Sequence, residues 1–192
     1  SGRMEKAADL ATRLSDSPEL NEVIAAAIVR TLYDAGRIDD AIETGERLLE
    51  EGWDHEGLRS SLGRAYLDSH LEDRYQRALE HLREGLDVDP NDAKMNSAMG
   101  DALLRSRSYE TAIPFLKKAC ELQPKAAQTR ALYARALKQA GRYAEAGVEF
   151  RRLLDLQPSS PRWARYAAGA LSQAGRRREA AELFDKFVSE RR

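Results

Sequence analysis

At residues 141–158 the chain reads GRYAEAGVEFRRLLDLQP, and altered copies of this stretch recur along the sequence. Its fixed points are the Gly-Arg start, Ala146, Phe150 and Pro158. The matching positions in the other copies are Gly36, Ile38, Ala41 and Leu48; Tyr75, Ala78, Leu82, Gly85 and Pro90; Tyr109, Ala112, Leu116, Ala119 and Pro124; and Gly175, Arg177, Ala180, Phe184 and Phe187. The copies are about 34 residues apart, a period typical of a helical solenoid.

Each period predicts two helices joined by a tight turn. Apolar residues follow helical spacing, as in Ile28, Val29 and Leu32. A glycine that can adopt a left-handed conformation then ends the first helix, and a proline stops the second. The turn glycines are Gly36, Gly141 and Gly175, and the stopping prolines are Pro90, Pro124 and Pro158.

The pattern resembles that of tetratricopeptide-repeat proteins, and the resemblance covers nearly the whole chain. It implies an all-α solenoid of antiparallel helix-turn-helix repeats that forms a right-handed superhelix. We expect one solenoid over residues 1–192, with a half repeat or capping helix at 1–21. The five full units are 22–55, 56–92, 93–126, 127–160 and 161–192, and the second has a longer turn within Asp68–Arg74.

The two ends predict an incomplete array. Residues 4–14 resemble a second helix whose first helix is missing, and Ser17-Pro18 is expected to cap and start the next helix. Ser1-Gly2-Arg3 before Met4 resembles a leader left by cloning. We therefore expect a piece of a longer bacterial repeat protein, with self-association where Phe184 or Phe187 is left uncovered.

Composition favours a soluble protein and argues against two classes of partner. The net charge is −1, from 31 basic and 32 acidic residues, so no overall positive field attracts RNA, DNA or an anionic membrane. We predict no binding to nucleic acid and no direct membrane insertion. The sequence leaves the compartment open. The single cysteine, Cys120, fits a reducing environment and favours the cytoplasm over the periplasm.

The sequence predicts neither an enzyme nor a cofactor or metal site. His55, His70 and His81 lie at unrelated repeat positions, so no catalytic triad is indicated. Phosphate-binding loops and metal-ligand spacings are absent from the sequence. Cys120, one residue past the packing position Ala119, is expected to be a structural thiol.

The resemblance implies that one face of each first helix lines a concave groove, where a partner peptide or helix lies. The predicted groove residues are Arg30, Arg64, Lys94, Ser97, Asp101, Arg105, Gln128, Arg135, Lys138, Arg162 and Arg165. A pair of Lys and Asn that marks relatives binding chaperone tails is absent at the matching positions. Chaperone-tail binding is therefore not predicted.

Charge separates the last two units from the first three. Arg30/Asp34, Arg64/Asp68 and Asp101/Arg105 are spaced to neutralise each other along a helix. Arg135, Lys138, Arg162 and Arg165 have no acidic residue at the same groove positions. We expect an acidic partner to dock near Arg135 and Arg165; the alternative is that these arginines pair with acidic residues elsewhere in the solenoid.

Three functions remain open from the sequence. The leading prediction is a non-enzymatic scaffold that binds a protein or peptide, because the surface repeats and no catalytic site is indicated. The first alternative is the substrate-recognition arm of a larger glycosyltransferase-like or sulfotransferase-like enzyme. The second is a periplasmic scaffold of a polysaccharide-export system.

Overall fold

A computed structural model describes residues 2–189, and within that range the chain is helical with no β-strand. The predicted all-α class is confirmed. The helices are α1 (Gly2–Leu14), α2 (Glu22–Asp34), α3 (Ile38–Glu50), α4 (Glu56–Asp68), α5 (Arg74–Val88), α6 (Ala93–Arg105), α7 (Tyr109–Leu122), α8 (Ala127–Gln139), α9 (Tyr143–Leu156), α10 (Pro161–Gln173) and α11 (Arg177–Ser189).

The contacts divide the chain into two compact units, with the boundary between Ala102 and Leu103 inside α6. In unit 1, α2 contacts α1, α3 and α4, and α4 contacts α3 and α5. In unit 2, α8 contacts α7 and α9, and α10 contacts α9 and α11. Each unit is therefore a stack of helical hairpins, as the predicted solenoid requires. The prediction of one continuous domain stays a prediction.

The turn glycines have the predicted left-handed conformation, with φ of 80° at Gly36, 78° at Gly141 and 80° at Gly175. This conformation aims the next backbone N–H back into the helix, so that Arg37 donates to the Leu32 carbonyl oxygen at 3.0 Å. The turn between α6 and α7 uses Arg107 instead, at φ 63°. The glycine pattern does not predict that left-handed arginine.

The second helices end where the prolines indicate. α5, α7 and α9 end at Val88, Leu122 and Leu156, each two residues before Pro90, Pro124 or Pro158. Pro114 lies inside α7, which continues through it.

The prediction that Ser17-Pro18 caps α2 is wrong. The cap is Asn21, whose side-chain oxygen accepts from the Ile24 N–H at 3.0 Å. Ser17 instead closes a separate turn, because its hydroxyl oxygen accepts from the Glu19 N–H at 3.2 Å and its carbonyl oxygen from the Leu20 N–H at 3.1 Å. Asn and Ser are comparable caps, so residue type alone does not distinguish Asn21 from Ser17.

Small residues allow neighbouring helices to approach closely. A Cβ built on Gly63 of α4 would lie 2.5 Å from Cγ of Leu82 in α5, and one built on Gly45 of α3 would lie 2.6 Å from Cδ2 of Leu62 in α4. Leu62 and Leu82 are fully buried. The glycines at these positions are thus required by leucines packed against them.

Candidate binding surface on the first helices

The predicted groove residues all lie on first helices of the hairpins, and their surroundings differ between the two units. In unit 1, Arg30 lies on α2, Arg64 lies on α4, and Lys94, Ser97 and Asp101 lie on the first part of α6; Arg105, near the end of α6, belongs to unit 2. In unit 2, α8 carries Gln128, Arg135 and Lys138, and α10 carries Arg162 and Arg165. Arg135, Arg162 and Arg165 are exposed, while Lys138 is half-buried.

In unit 1 a tyrosine engages the charged residues of the groove face. The Arg64 guanidinium lies 4.3 Å from the centroid of the Tyr33 ring. The Tyr33 hydroxyl donates to Asp68 Oδ2 at 2.8 Å. Burial and this hydrogen bond to a carboxylate both raise the pKa of Tyr33. Arg64 and Asp68 are thus joined through Tyr33, whereas Arg30 and Asp34 form no ion pair within residues 2–189.

In unit 2 three cations surround a second tyrosine, Tyr166 of α10. The distances from the Tyr166 ring centroid are 5.5 Å to Arg165 Cζ, 5.7 Å to Arg162 Cζ and 5.8 Å to Lys138 Nζ. Arg162 also lies 4.8 Å from the Trp163 ring. We call Lys138, Arg162, Arg165 and Tyr166 the Tyr166 cluster.

The cations of this cluster have no acidic partner in the part of the chain that the structure describes. None of the ion pairs formed among residues 2–189 involves Arg135, Lys138, Arg162 or Arg165. The alternative in which these arginines pair with carboxylates elsewhere in the solenoid therefore finds no support. The structure groups Lys138, Arg162 and Arg165, while Arg135 is exposed on α8 without a recorded contact to Tyr166.

The pKa of Tyr166 also reflects the positive charge around its ring. A hydrogen bond from Arg162, together with the charges of Arg162 and Arg165, lowers the pKa of Tyr166, because these groups stabilise the phenolate. The groove positions predicted from the sequence omit Tyr166. The sequence Arg162-Trp163-Ala164-Arg165-Tyr166 does indicate such a contact, because Tyr166 follows Arg162 by four residues and is adjacent to Arg165.

The other buried polar groups of unit 2 serve packing. Arg130 donates to Glu149 Oε2 at 2.6 Å and to the Pro124 carbonyl oxygen at 2.8 Å, which holds α8 against α9. Cys120 is buried, and burial raises the pKa of its thiol to about 11. The thiol is thus structural, as predicted, because little thiolate is present near neutral pH.

Unit 1 contains a similar buried cluster. Glu46 of α3 accepts a hydrogen bond from the Tyr66 hydroxyl of α4, and its Oε1 lies 3.1 Å from His81 Nε2 of α5. The Tyr66 and His81 rings stack with centroids 5.5 Å apart. Burial and the contact with Glu46 raise the pKa of Tyr66. The cluster connects three successive helices.

No group of three or more His, Cys, Asp or Glu side chains within residues 2–189 is arranged to hold a metal ion. In the same range, no helix has both the length and the apolar character needed to cross a membrane.

The C-terminal end of unit 2 has the exposed aromatic that the sequence predicted. Phe184 is 47% exposed, and Phe187 is half-buried in a groove of about 440 Å³ between α9 and α11. Charged side chains share this groove, including Asp155, Glu179 and Lys186. Stacking of another copy on this end stays a prediction.

Comparison with known proteins identifies the repeats. Two family models, both described as tetratricopeptide repeat, match residues 61–127 and 103–168. Together they cover more than half of the chain. Among curated proteins, the Vi polysaccharide export protein VexE of Salmonella typhi is 37% identical over 83 residues. That match covers 43% of this chain and 13% of VexE, so the chain corresponds to a small part of VexE.

Solved structures of MamA share the fold. MamA MSR-1 is 25% identical with a TM-score of 0.74, and the match covers 88% of this chain and 95% of MamA. MamA AMB-1 is 27% identical with a TM-score of 0.75, covering 88% of this chain and 97% of the other. The repeat pattern, the helical hairpins and these matches lead to one assignment: the chain belongs to the tetratricopeptide-repeat proteins.

Proposed function

We propose that this chain is a non-enzymatic protein-interaction scaffold, and that it binds an acidic segment of a partner protein at the Tyr166 cluster. The observation that carries the proposal is the convergence of Arg162, Arg165 and Lys138 on one tyrosine ring, without an acidic partner in residues 2–189. The tetratricopeptide-repeat fold supports the scaffold role, because stacked repeats present extended binding surfaces.

A carboxylate has the charge and geometry that this cluster would bind. A guanidinium presents a planar fork of N–H donors that matches the two oxygens of a carboxylate. Arg162 and Arg165 are exposed and lie beside an aromatic ring, and no carboxylate within residues 2–189 pairs with their guanidinium groups. An Asp or Glu side chain of a partner could thus form charge-assisted hydrogen bonds with these arginines without breaking an ion pair within residues 2–189.

The equivalent surface of unit 1 is a poorer site for an acidic ligand. Tyr33 already connects Arg64 to Asp68, and the Asp68 carboxylate lies beside the ring. A negative ligand there would approach an existing negative charge. We therefore place the acidic segment on unit 2.

Fluorescence anisotropy with a labelled peptide of alternating Glu and Gly tests the proposal. We expect salt-sensitive binding that weakens about tenfold, equivalent to about 1.4 kcal/mol, in the Arg162→Gln, Arg165→Gln variant. The matched control is Lys125→Gln, Arg151→Gln, which removes two exposed cations of unit 2 outside the cluster. Equal loss in both variants would mean that the peptide responds to net charge alone and would refute the site.

The match to VexE favours a second candidate, a scaffold within a polysaccharide-export system. In that role the same cluster would meet a carboxylated polymer. Calorimetry with alginate and with uncharged dextran separates the candidates. Binding of alginate, lost in Arg162→Gln, Arg165→Gln, with no binding of the acidic peptide, would replace the protein ligand with a polysaccharide.

A further inference from the structure

One position distinguishes the groove face of α10 from the groove faces of the other first helices. The ninth residue of each first helix lies on this face, and in α2, α4, α6 and α8 it carries a charge. These residues are Arg30, Arg64, Asp101 and Arg135. In α10 the ninth residue is Gly169. The groove face of α10 therefore lacks a side chain at the position where those four helices have a charged one.

Neither packing nor turn geometry accounts for this glycine. A Cβ built on Gly169 would have no neighbour within 4 Å, whereas one built on Gly63 or Gly147 would meet a leucine side chain at 2.5 or 3.1 Å. The glycines with a left-handed backbone are others, namely Gly36, Gly52, Gly141 and Gly175. A glycine inside a helix lowers its stability relative to alanine, and at Gly169 no close internal contact offsets that loss.

Gly169 lies next to the Tyr166 cluster. Arg162, Tyr166 and Gly169 are spaced i, i+4 and i+7, so they form one stripe along α10, and Gly169 follows Arg165 by one turn. The stripe continues to Gln173, whose amide group can both donate and accept hydrogen bonds. Arg162, Arg165, Gly169 and Gln173 are all exposed. Bare helix backbone is thus accessible between two cations and an amide.

The missing side chain decides how closely a ligand can approach α10. Along the helix axis, Gly169 lies about 6 Å from Arg165, because each residue rises about 1.5 Å. An extended peptide advances about 3.3 Å per residue, so two residues of a bound segment cover this distance. At Gly169 the peptide main chain can contact the helix backbone, whereas a side chain such as that of Arg135 would hold it away.

We propose that the main chain of the acidic segment runs along α10 over Gly169, in van der Waals contact with the helix backbone, while a carboxylate of the segment binds Arg162 and Arg165. The amide of Gln173 then pairs with a peptide group of the segment. This inference rests on the proposed function and adds the shape of the ligand, which is a narrow, extended chain. Gly169 is thus a specificity-determining position of the site.

Fluorescence anisotropy with the labelled Glu-Gly peptide tests the contact. We expect the affinity to fall about threefold in Gly169→Ala and about tenfold in Gly169→Leu, because each added side chain displaces the peptide main chain. Gly169→Ala should at the same time raise the unfolding temperature, since its Cβ meets no neighbour and alanine favours the helix. A purely structural role for Gly169 would change stability without changing affinity. The matched control is Ala144→Leu, which adds bulk at an exposed position of α9.

The outcomes separate this inference from the proposed function. Loss of binding in Arg162→Gln, Arg165→Gln, with the parental affinity in both Gly169 variants, would refute the main-chain contact and leave the acidic site standing. Equal losses of affinity in Gly169→Leu and Ala144→Leu would also refute the contact. A parent chain that does not bind the peptide, or binding that survives Arg162→Gln, Arg165→Gln, would overturn both proposals.

Disulfide crosslinking tests the path along α10 without altering Gly169. Two Glu-Gly peptides carry a cysteine, one at the amino end and the other at the carboxyl end. One of them should form a mixed disulfide with Gln173→Cys faster than with Ala144→Cys, because this bond needs the two Cα atoms within about 7 Å. The native Cys120 is buried and its thiol pKa is raised to about 11, so it contributes little background. Equal crosslinking rates at the two positions would contradict the path.

Discussion

Arg130 of α8 donates to Glu149 of α9 at 2.6 Å, and the two side chains are 10% and 8% exposed. Glu149 also accepts from Arg152 at 2.6 Å through its other oxygen. The pair is thus a buried connection within one helical hairpin. Removing one partner leaves the other charge desolvated, whereas removing both leaves an apolar contact.

We predict that Glu149→Met lowers the free energy of unfolding by about 3 to 5 kcal/mol, because Arg130 then remains buried without its partner. The double variant Arg130→Met, Glu149→Met should recover most of this loss. Urea unfolding of Arg130→Met, Glu149→Met and the double variant measures the coupling free energy between the two side chains. Additive losses would show that the pair is not coupled.

Two helical glycines should respond to alanine with opposite signs. Gly63→Ala should destabilise the chain by about 1 to 3 kcal/mol, since the added methyl group would meet the Leu82 side chain. Gly169→Ala should stabilise it by about 0.5 to 1 kcal/mol, because its Cβ would have no neighbour within 4 Å and alanine favours the helix. Thermal unfolding compares them; stabilisation by Gly63→Ala would contradict the packing described for α4 and α5.

The left-handed arginine in the α6–α7 turn offers a stabilising substitution. Arg107→Gly should raise the free energy of unfolding by about 1 kcal/mol, because φ of 63° costs a residue with a Cβ about that amount. The matched variant Gly141→Ala places a Cβ on a left-handed turn residue and should lower stability. A loss of stability in Arg107→Gly would show that the arginine side chain stabilises the fold by more than its left-handed backbone conformation destabilises it.

The turns also carry ion pairs that predict a pH dependence. Arg142 binds both Glu145 oxygens at 2.7 Å, and Arg176 binds both Glu179 oxygens at 2.6 and 2.5 Å. These hydrogen bonds lower the pKa of Glu145 and Glu179 below the ordinary 4.5. The unfolded chain therefore binds protons first as the pH falls.

It follows that the contribution of both pairs is fully present above pH 4.5 and declines as the pH falls through the lowered pKa values. Glu145→Gln, Glu179→Gln should reduce the loss of stability on acidification, measured as the urea midpoint against pH. Its control is Glu43→Gln on α3, an exposed glutamate for which the structure records no ion pair within residues 2–189. Identical pH slopes in parent and variant would contradict the prediction.

Local backbone chemistry is the part of the structure that the sequence predicts best. Gly36, Gly141 and Gly175 indicate left-handed turns because only glycine adopts that conformation without cost, and the structure confirms them. Arg107 is not predicted, because its residue type does not indicate a left-handed turn; the structure shows the turn by its φ of 63° and by the hydrogen bond from the Ser108 N–H to the Leu103 carbonyl oxygen at 2.8 Å. The sequence pattern predicts Ser17 as the cap of α2, whereas the structure has Asn21 there; residue type does not separate the two, since both side chains can accept the same backbone hydrogen bond.

The candidate site depends on contacts between helices, which a pattern along one helix does not contain. Helical spacing correctly places Arg162 and Arg165 on the first helix α10, but it omits Tyr166. Lys138 reaches that ring from α8, the first helix of the preceding hairpin. Similarly, Arg64 and Asp68 have the spacing of an ion pair, and the structure joins them through Tyr33 of the preceding repeat.

The hydrogen bonds Tyr33–Asp68 and His81–Glu46 each join residues 35 positions apart, one repeat and one residue. A chain held together over such distances has no need to bring remote segments into register before it gains contacts, so the entropy of closing long loops is small. Because these contacts join neighbouring repeats, the insertion or deletion of one whole period would disturb packing only in the adjoining hairpins. Gene duplication can therefore change the number of repeats in this protein in single steps, while the contacts outside the adjoining hairpins survive.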